Sequence, residues 1–289
     1  MKAKYINPFT DFGFKKIFGE EASKPLLIDF LNSLLPEINI VSIDFKDKEK
    51  LGRTDADRKA VYDLYCENNH GEKIIIELQR AKQNYFKDRT VYYSSFPIQE
   101  QANLGTWNYE LKAVYCIGIL DFTFDSKQNQ EYIHTVQLKD QNNQIFYDKL
   151  KYIYLELPNF NKTEQFLETR LEKWLYFIKH LEDFDNIPDI FKDDVFINAF
   201  QKAALANYNP AELNDYQDSL KIFRDNINTF NYAKEESFTE GKMEGKIEVK
   251  IEGKIEGKIE VAKTALKLGM PIEDIIRLTG LTEKQILEL

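Results

Sequence analysis

Two apolar runs flank a short polar turn in VYDLYCENNHGEKIIIELQ, Val61 to Gln79, and each run carries an acid. Side chains alternate faces along extended backbone, so Glu77 and Gln79 project to one side and Ile74, Ile76 and Leu78 to the other. Asn69-His70-Gly71 suits a three-residue hairpin loop with its glycine in the left-handed position. That register pairs Asn68 with Glu72 and Asp63 with Glu77. Two carboxylates would then face each other with Cβ atoms ~5 Å apart, and like charges so opposed are destabilising. Burial deepens the cost unless one acid is protonated or a cation lies between them. Paired oxygens at that separation match what a Mg²⁺ or Mn²⁺ ion draws from protein. A solvated polar hairpin face is the plain alternative, and a two-residue loop would set Asp63 against Ile76 instead. The apolar neighbours on both sides of each acid point to an interior strand.

The rest of the chain predicts a mixed α/β layout. Phe14, Ile17 and Phe18 make one helical face; Leu26, Leu27, Phe30, Leu31, Leu34 and Leu35 make a second, ended by Pro36. Ile38–Phe45 is a strand candidate, and after a charged loop Ala60 to Glu67 opens the hairpin. Lys82 to Gly105 reads as a long helix interrupted near Pro97. Leu111 to Phe122 is an apolar strand buried on both faces. YIHTVQL and KYIYLEL are two more strands, and from Thr163 to Phe230 the pattern turns helical. The organisation expected is a core over 1–160, a helical extension over 161–235, a tetrapeptide repeat over 236–260 and a small helical module over 261–289.

Composition narrows the function. The net charge of −9 argues against indiscriminate binding of polyanions, but the acidic excess falls behind the N-terminal part. Arg80, Lys82, Lys87 and Arg89 cluster just past the hairpin, which permits a polyanionic substrate. Two cysteines without metal spacing read as buried thiols in a reducing cytoplasm. No apolar run approaches the ~20 residues of a membrane span, and the N-terminus lacks the pattern of a signal peptide.

Asp63, followed at a distance by Glu77-Leu78-Gln79, resembles the PD-(D/E)xK nuclease signature with glutamine in the lysine place. With TDFGFKKIFG, LLIDFLNSLLP, FKDRTVYYSS and YLELPNF around it, the chain resembles the Rpn family of recombination-promoting nucleases, also labelled transposases, over roughly residues 7–180. The resemblance implies a restriction-endonuclease-like fold, dependence on Mg²⁺ or Mn²⁺, and cleavage of DNA. It implies that Asp63 and Glu77 bind the metal with the Leu78 carbonyl as third ligand. Gln79 would orient water through its amide, where a lysine would bring positive charge. Asp11 matches an acid on the first helix of related nucleases and is a further metal candidate; an N-cap at Asp11 or Thr10 explains it equally. Lys82, Arg89 and Tyr93 are candidates for holding phosphates, or form a solvated helix face.

EGKMEGKIEVKIEGKIEGKIE repeats every four residues from Glu240 to Glu260. On a helix Glu stacks on Glu and Lys on Lys at i,i+4, which weakens an isolated helix, and each interior glycine costs ~1 kcal/mol against alanine. A second copy, Glu ridge against Lys ridge, would relieve both, which predicts a homo-oligomer through the tail; a flexible linker is the alternative. The last residues outline a helix-turn-helix, with Gly269 as a C-cap, Pro271 in a first turn, and Thr282 with Gln285 as a capping box. Its last helix is too acidic for DNA, so oligomerisation or partner binding fits better. Three functions compete. They are a metal-dependent DNA endonuclease in recombination, mobile elements or defence; a weak or inactive nuclease fold that binds DNA or protein; and a toxin-like effector restrained by a partner on the acidic middle region.

Overall fold

The computed structural model describes residues 3–47, 49–50, 60–102, 107–124 and 131–289. It divides into two units, residues 1–224 and 225–289. In the first, α1 (Asp11–Phe18) is capped by Thr10, whose hydroxyl accepts the Gly13 N–H at 2.9 Å. A Cβ at Gly13 would lie 2.1 Å from the Asn7 carbonyl oxygen, so only glycine lets the helix start here. Helix α2 (Lys24–Leu34) buries Leu26, Leu27, Phe30 and Leu31, as its spacing predicts.

Strand β1 (Ile43–Phe45) is shorter than the expected Ile38–Phe45. Upstream, Ile40 already has a side-chain partner. Asn32 donates to its carbonyl and accepts from its N–H, both at 2.8 Å, imitating a neighbouring strand. The two-residue strands β2 (Glu49–Lys50) and β3 (Ala60–Val61) form a separate ribbon. The hairpin follows as β4 (Leu64–Asn68) and β5 (Lys73–Gln79), then α3 (Phe86–Gln99), which carries Pro97 inside it. The end of the helix expected here, residues 103–105, lies outside the described residues. Next come β6 (Val114–Leu120), β7 (Ile133–Lys139), β8 (Ile145–Glu156), α4 (Arg170–His180) and α5 (Asp194–Ala203).

Six strands form one mixed sheet in the order β1-β4-β5-β6-β8-β7, with β5–β6 and β6–β8 parallel and the other pairs antiparallel. Every residue of β6 is buried, as its unbroken apolar run requires of a central parallel strand. One sheet face packs Leu64, Cys66, Ile74, Ile76, Ile117 and Ile153 into the same core as α1, α2, α4 and α5. The other face packs Tyr65, Ile75, Cys116, Tyr152 and Tyr154 under Phe86 and Tyr93 of α3. Arg170 ties the helical layer together, forking onto Asp29 of α2 and onto Asp193, the N-cap of α5. This is the helix-flanked mixed sheet expected of a restriction-endonuclease-like core.

Helix α6 (Pro210–Lys267) is 58 residues long. In the second unit, α7 (Ile272–Thr279) and α8 (Glu283–Leu287) close a small core of Ala262, Ala265, Ile275, Leu281 and Ile286. The Thr282–Gln285 capping box is present, and Gly269 and Gly280 take positive φ at the helix ends. No helix among the described residues is long and apolar enough to cross a membrane.

Candidate functional site

The hairpin adopts the three-residue register. Leu64 faces Ile76, Tyr65 faces Ile75, Cys66 faces Ile74 and Glu67 faces Lys73. The Asn68 N–H reaches the Glu72 carbonyl at 3.0 Å, and Gly71 takes φ +78°, the left-handed conformation that closes the loop. Continued one pair further, this ladder sets Asp63 opposite Glu77, although the apolar run from Ala60 does not pass straight through. It leaves β3, bends at Tyr62-Asp63 and only then enters β4. Tyr62 is anchored at the bend, buried, with its hydroxyl on the Tyr93 carbonyl at 2.9 Å.

The bend turns Asp63 from a ladder residue into a side-chain clamp. Its Oδ2 accepts the Leu78 N–H at 2.6 Å, and its own N–H points at Glu77 Oε1 at 3.3 Å. Gln79 lies on the same face, with Nε2 3.2 Å from Glu77 Oε2. Three of the residues expected from the sequence, with Leu78 between them, therefore converge. Desolvation raises the Glu77 carboxyl to about 8, and the nearby Asp63 charge adds to the rise while the Arg89 charge opposes it. Desolvation raises Asp63 too; the Leu78 N–H and the charges of Lys15 and Arg80 pull the other way, and that of Asp11 adds to the rise. At neutral pH without a cation, the pair keeps a proton.

The remaining candidates are distributed differently. Asp11 is the first residue of α1, not its cap, and pairs with Lys15 at 2.6 Å. Its charge reaches Asp63, and among the described residues no three His, Cys, Asp or Glu side chains gather to hold an ion. Arg89 and Tyr93 are one turn apart on α3, the guanidinium 5.7 Å from the Tyr93 ring, and both line a small cleft that includes Glu77 and Gly118. Lys82 points elsewhere, its ammonium on the Phe124 carbonyl.

Two groups that the sequence reading did not assign to the site flank the acids, one of them Arg80 of the basic cluster. Arg80 stacks 4.1 Å over the Phe223 ring, and desolvation lowers it to about 10 against the charges of Asp63, Asp121 and Asp11. Asp121 follows β6, donates its N–H to the Gln79 carbonyl at 2.8 Å, and is raised by burial against the charges of Arg80 and Lys179. The signals were present: Arg80 adjoins Gln79, and Asp121 ends the apolar run. Asp121 could not be placed without the parallel pairing of β5 with β6, nor Arg80 without Phe223 of α6.

Chemically, the arrangement offers two hard carboxylate oxygens, a neighbouring backbone carbonyl, an amide and a nearby fixed cation. No curated protein and no solved structure matches the chain. The model of the PD-(D/E)XK nuclease family transposases matches residues 8–233, spanning the sheet, the acid pair and the helices behind them, and the chain belongs to that family.

Proposed function

We propose that this chain is a divalent-metal-dependent DNA endonuclease, acting in recombination, mobile-element movement or defence. The observation that carries the reading is the opposition of Asp63 and Glu77, with the Asp63 carboxylate on the Leu78 N–H, the Asp63 N–H on Glu77, and burial raising both acids. The donor set fits Mg²⁺ or Mn²⁺, because such ions take few carboxylates and leave other positions to water and phosphate oxygen. Asp63, Glu77 and the Leu78 carbonyl would hold the ion, which when bound supplies Lewis acidity towards phosphate oxygen and water. Gln79, already turned towards Glu77, orients the attacking water through its amide. Arg80 supplies the fixed positive charge that a glutamine cannot. Arg89, over the cleft beside Glu77, holds a phosphate of the bound strand. Two buried free thiols suit a reducing cytoplasm.

Nicking of supercoiled plasmid in Mg²⁺ and Mn²⁺ tests the activity. Gln79→Lys should raise the rate roughly tenfold or more, since one well-placed charge is worth that much in a desolvated site. Binding of DNA with no cleavage in any metal, in both proteins, would instead favour the fold as a DNA-binding module.

The same reading includes self-association through α6. Met243, Ile247, Ile251 and Ile255 recur every four residues, each about half exposed, and Gly241, Gly245, Gly253 and Gly257 have open space where a Cβ would be. A second α6, its Lys ridge on the Glu ridge, would cover this stripe and allow close backbone approach. Sedimentation of the full chain should show a dimer or larger species, and Ile251→Glu with Ile255→Glu should give the monomer. A monomeric unmodified protein would remove the idea.

A further inference from the structure

The sheet face that carries the acid pair holds a second cavity, of about 390 Å³, within the range of small-ligand pockets. Tyr152 and Tyr154 of β8 form its floor. Their hydroxyls are fixed to α3, Tyr152 on Ser94 at 2.8 Å and Tyr154 on Thr90 at 2.9 Å, so the rings are held in place. Phe124 packs edge-on against Tyr154 at 5.1 Å and against His134 at 5.8 Å. Val136 is half exposed at the mouth, and Lys87 Nζ lies 5.1 Å from the centre of the Phe124 ring. The lining is aromatic, with a cation near the opening.

At one end sits Glu156, only 3% exposed. Its Oε1 accepts the Phe124 N–H at 2.8 Å, and its Oε2 accepts the Asn159 amide at 2.7 Å. His134 Nε2 lies 3.4 Å from Glu156 Oε1, yet it is buried with no aligned hydrogen-bond partner among the described residues. Leaving such an atom unsatisfied is costly. A ligand with a matching polar edge would remove that cost.

The sheet register connects this cavity to the acids. Glu77 pairs with Gly118, Gly118 with Tyr154, and Tyr154 with His134, a single row across four strands on one face. Three strand spacings amount to ~14 Å, about the run of four stacked nucleotides at 3.4 Å each. Gly118 is required in this row, because a Cβ there would come within 2.9 Å of the Tyr154 ring that packs over it.

Resting on the nuclease reading, we infer that this cavity receives an unstacked, amino-bearing base, adenine or cytosine, from the strand whose phosphate lies at Asp63 and Glu77. The aromatic lining contacts the base plane, as aromatic side chains do in single-strand binders. Glu156 accepts from the exocyclic amine, as carboxylates do from cytosine, and His134 Nε2 meets a ring nitrogen. Thymine would turn a carbonyl towards the carboxylate and is disfavoured. Because a paired base must first leave its stack, single-stranded or frayed DNA is the preferred substrate.

The test uses the full chain with Ca²⁺, which can bridge the acids and a phosphate, with fluorescence anisotropy of labelled single strands of dC, dA and dT, strands with an abasic position, and free dCMP as competitor. The dC and dA strands should bind about tenfold tighter than dT, a difference of ~1.4 kcal/mol. Abasic substitution should weaken binding at one position, and Val136→Trp, which fills the mouth, should erase both differences without changing the melting temperature. Equal binding of all strands, or a preference that survives Val136→Trp, overturns the proposal. Competition by dCMP with no preference among strands assigns the cavity to a free nucleotide and also overturns it. Plasmid nicking without base preference leaves the nuclease reading standing alone; base preference with no cleavage in any metal leaves the cavity and removes the nuclease.

Discussion

Asp63→Asn and Glu77→Gln should each reduce DNA cleavage on the order of a thousandfold while making the metal-free protein more stable. The two effects share one cause. The carboxyls are opposed and desolvated, and burial, with the Asp63 charge added, raises the Glu77 pKa to about 8. Removing one ionisable group removes the penalty. Asn and Gln keep an oxygen to accept the Leu78 N–H at position 63 and the Asp63 N–H at position 77, so the clamp survives. A gain on the order of 2 kcal/mol at pH 8, roughly 4–8 °C for a unit of this size, is expected. Mn²⁺ at a hundred times its dissociation constant should stabilise the unmodified protein by ~2.7 kcal/mol, read as a higher melting temperature, and leave both variants unmoved. Cleavage that survives either substitution would refute the site. Variants that melt lower than the parent at pH 8 would refute the electrostatic account.

The metal-free protein should be most stable near pH 5 and weaken steadily towards pH 8. Glu77 ionises near its ordinary value of 4.5 when unfolded and near 8 when folded, so between those values the native state holds the extra proton. Stability is then fully present below about 4.5 and is lost as the pH rises through 8, at up to ~1.4 kcal/mol per pH unit. Glu172 and Asp193 act in the opposite direction. Burial would raise them, but Lys162 and Arg170 respectively hold them below their ordinary values, so their contribution is lost as the pH falls below the carboxylate range. The two trends meet near pH 5. Adding Mn²⁺ should flatten the slope on the alkaline side, because the ion displaces the proton. Urea midpoints at pH 5, 6, 7 and 8, with EDTA and with Mn²⁺, measure this. A midpoint independent of pH, or an unchanged slope in Glu77→Gln, would contradict it.

The hairpin was legible because its determinants are local. Gly71 fixes the loop, the loop fixes the register, and the register sets the acids opposite each other. The full burial of β6 was legible for a similar reason, since an unbroken apolar run has no solvent face to offer. What escaped depended on distant partners. The break at Tyr62-Asp63 follows from a tyrosine hydroxyl bonding to α3, which alternation along the strand does not reveal. The early end of β1 follows from Asn32 satisfying the Ile40 backbone. Asp121 joins the site only because β5 and β6 run parallel in this register, and Arg80 is held beside it by Phe223 of α6. Lys82 had the right charge and the nearby position, but its side chain is engaged by the Phe124 carbonyl.

The Asn69-His70-Gly71 turn makes the site sensitive to length as well as chemistry. One residue added there would slide β4 by one place and carry Asp63 to the opposite face. Two would return it to the correct face but displaced along the strand, away from Glu77. Such a change falls in an exposed loop, leaves every core residue chemically intact, and would silence the acid pair without substituting either member. The interval between Asp63 and the Glu77-Leu78-Gln79 triplet is thus a molecular ruler. An insertion or deletion at the turn would convert an active form of this fold into a silent one with both acids still in the sequence.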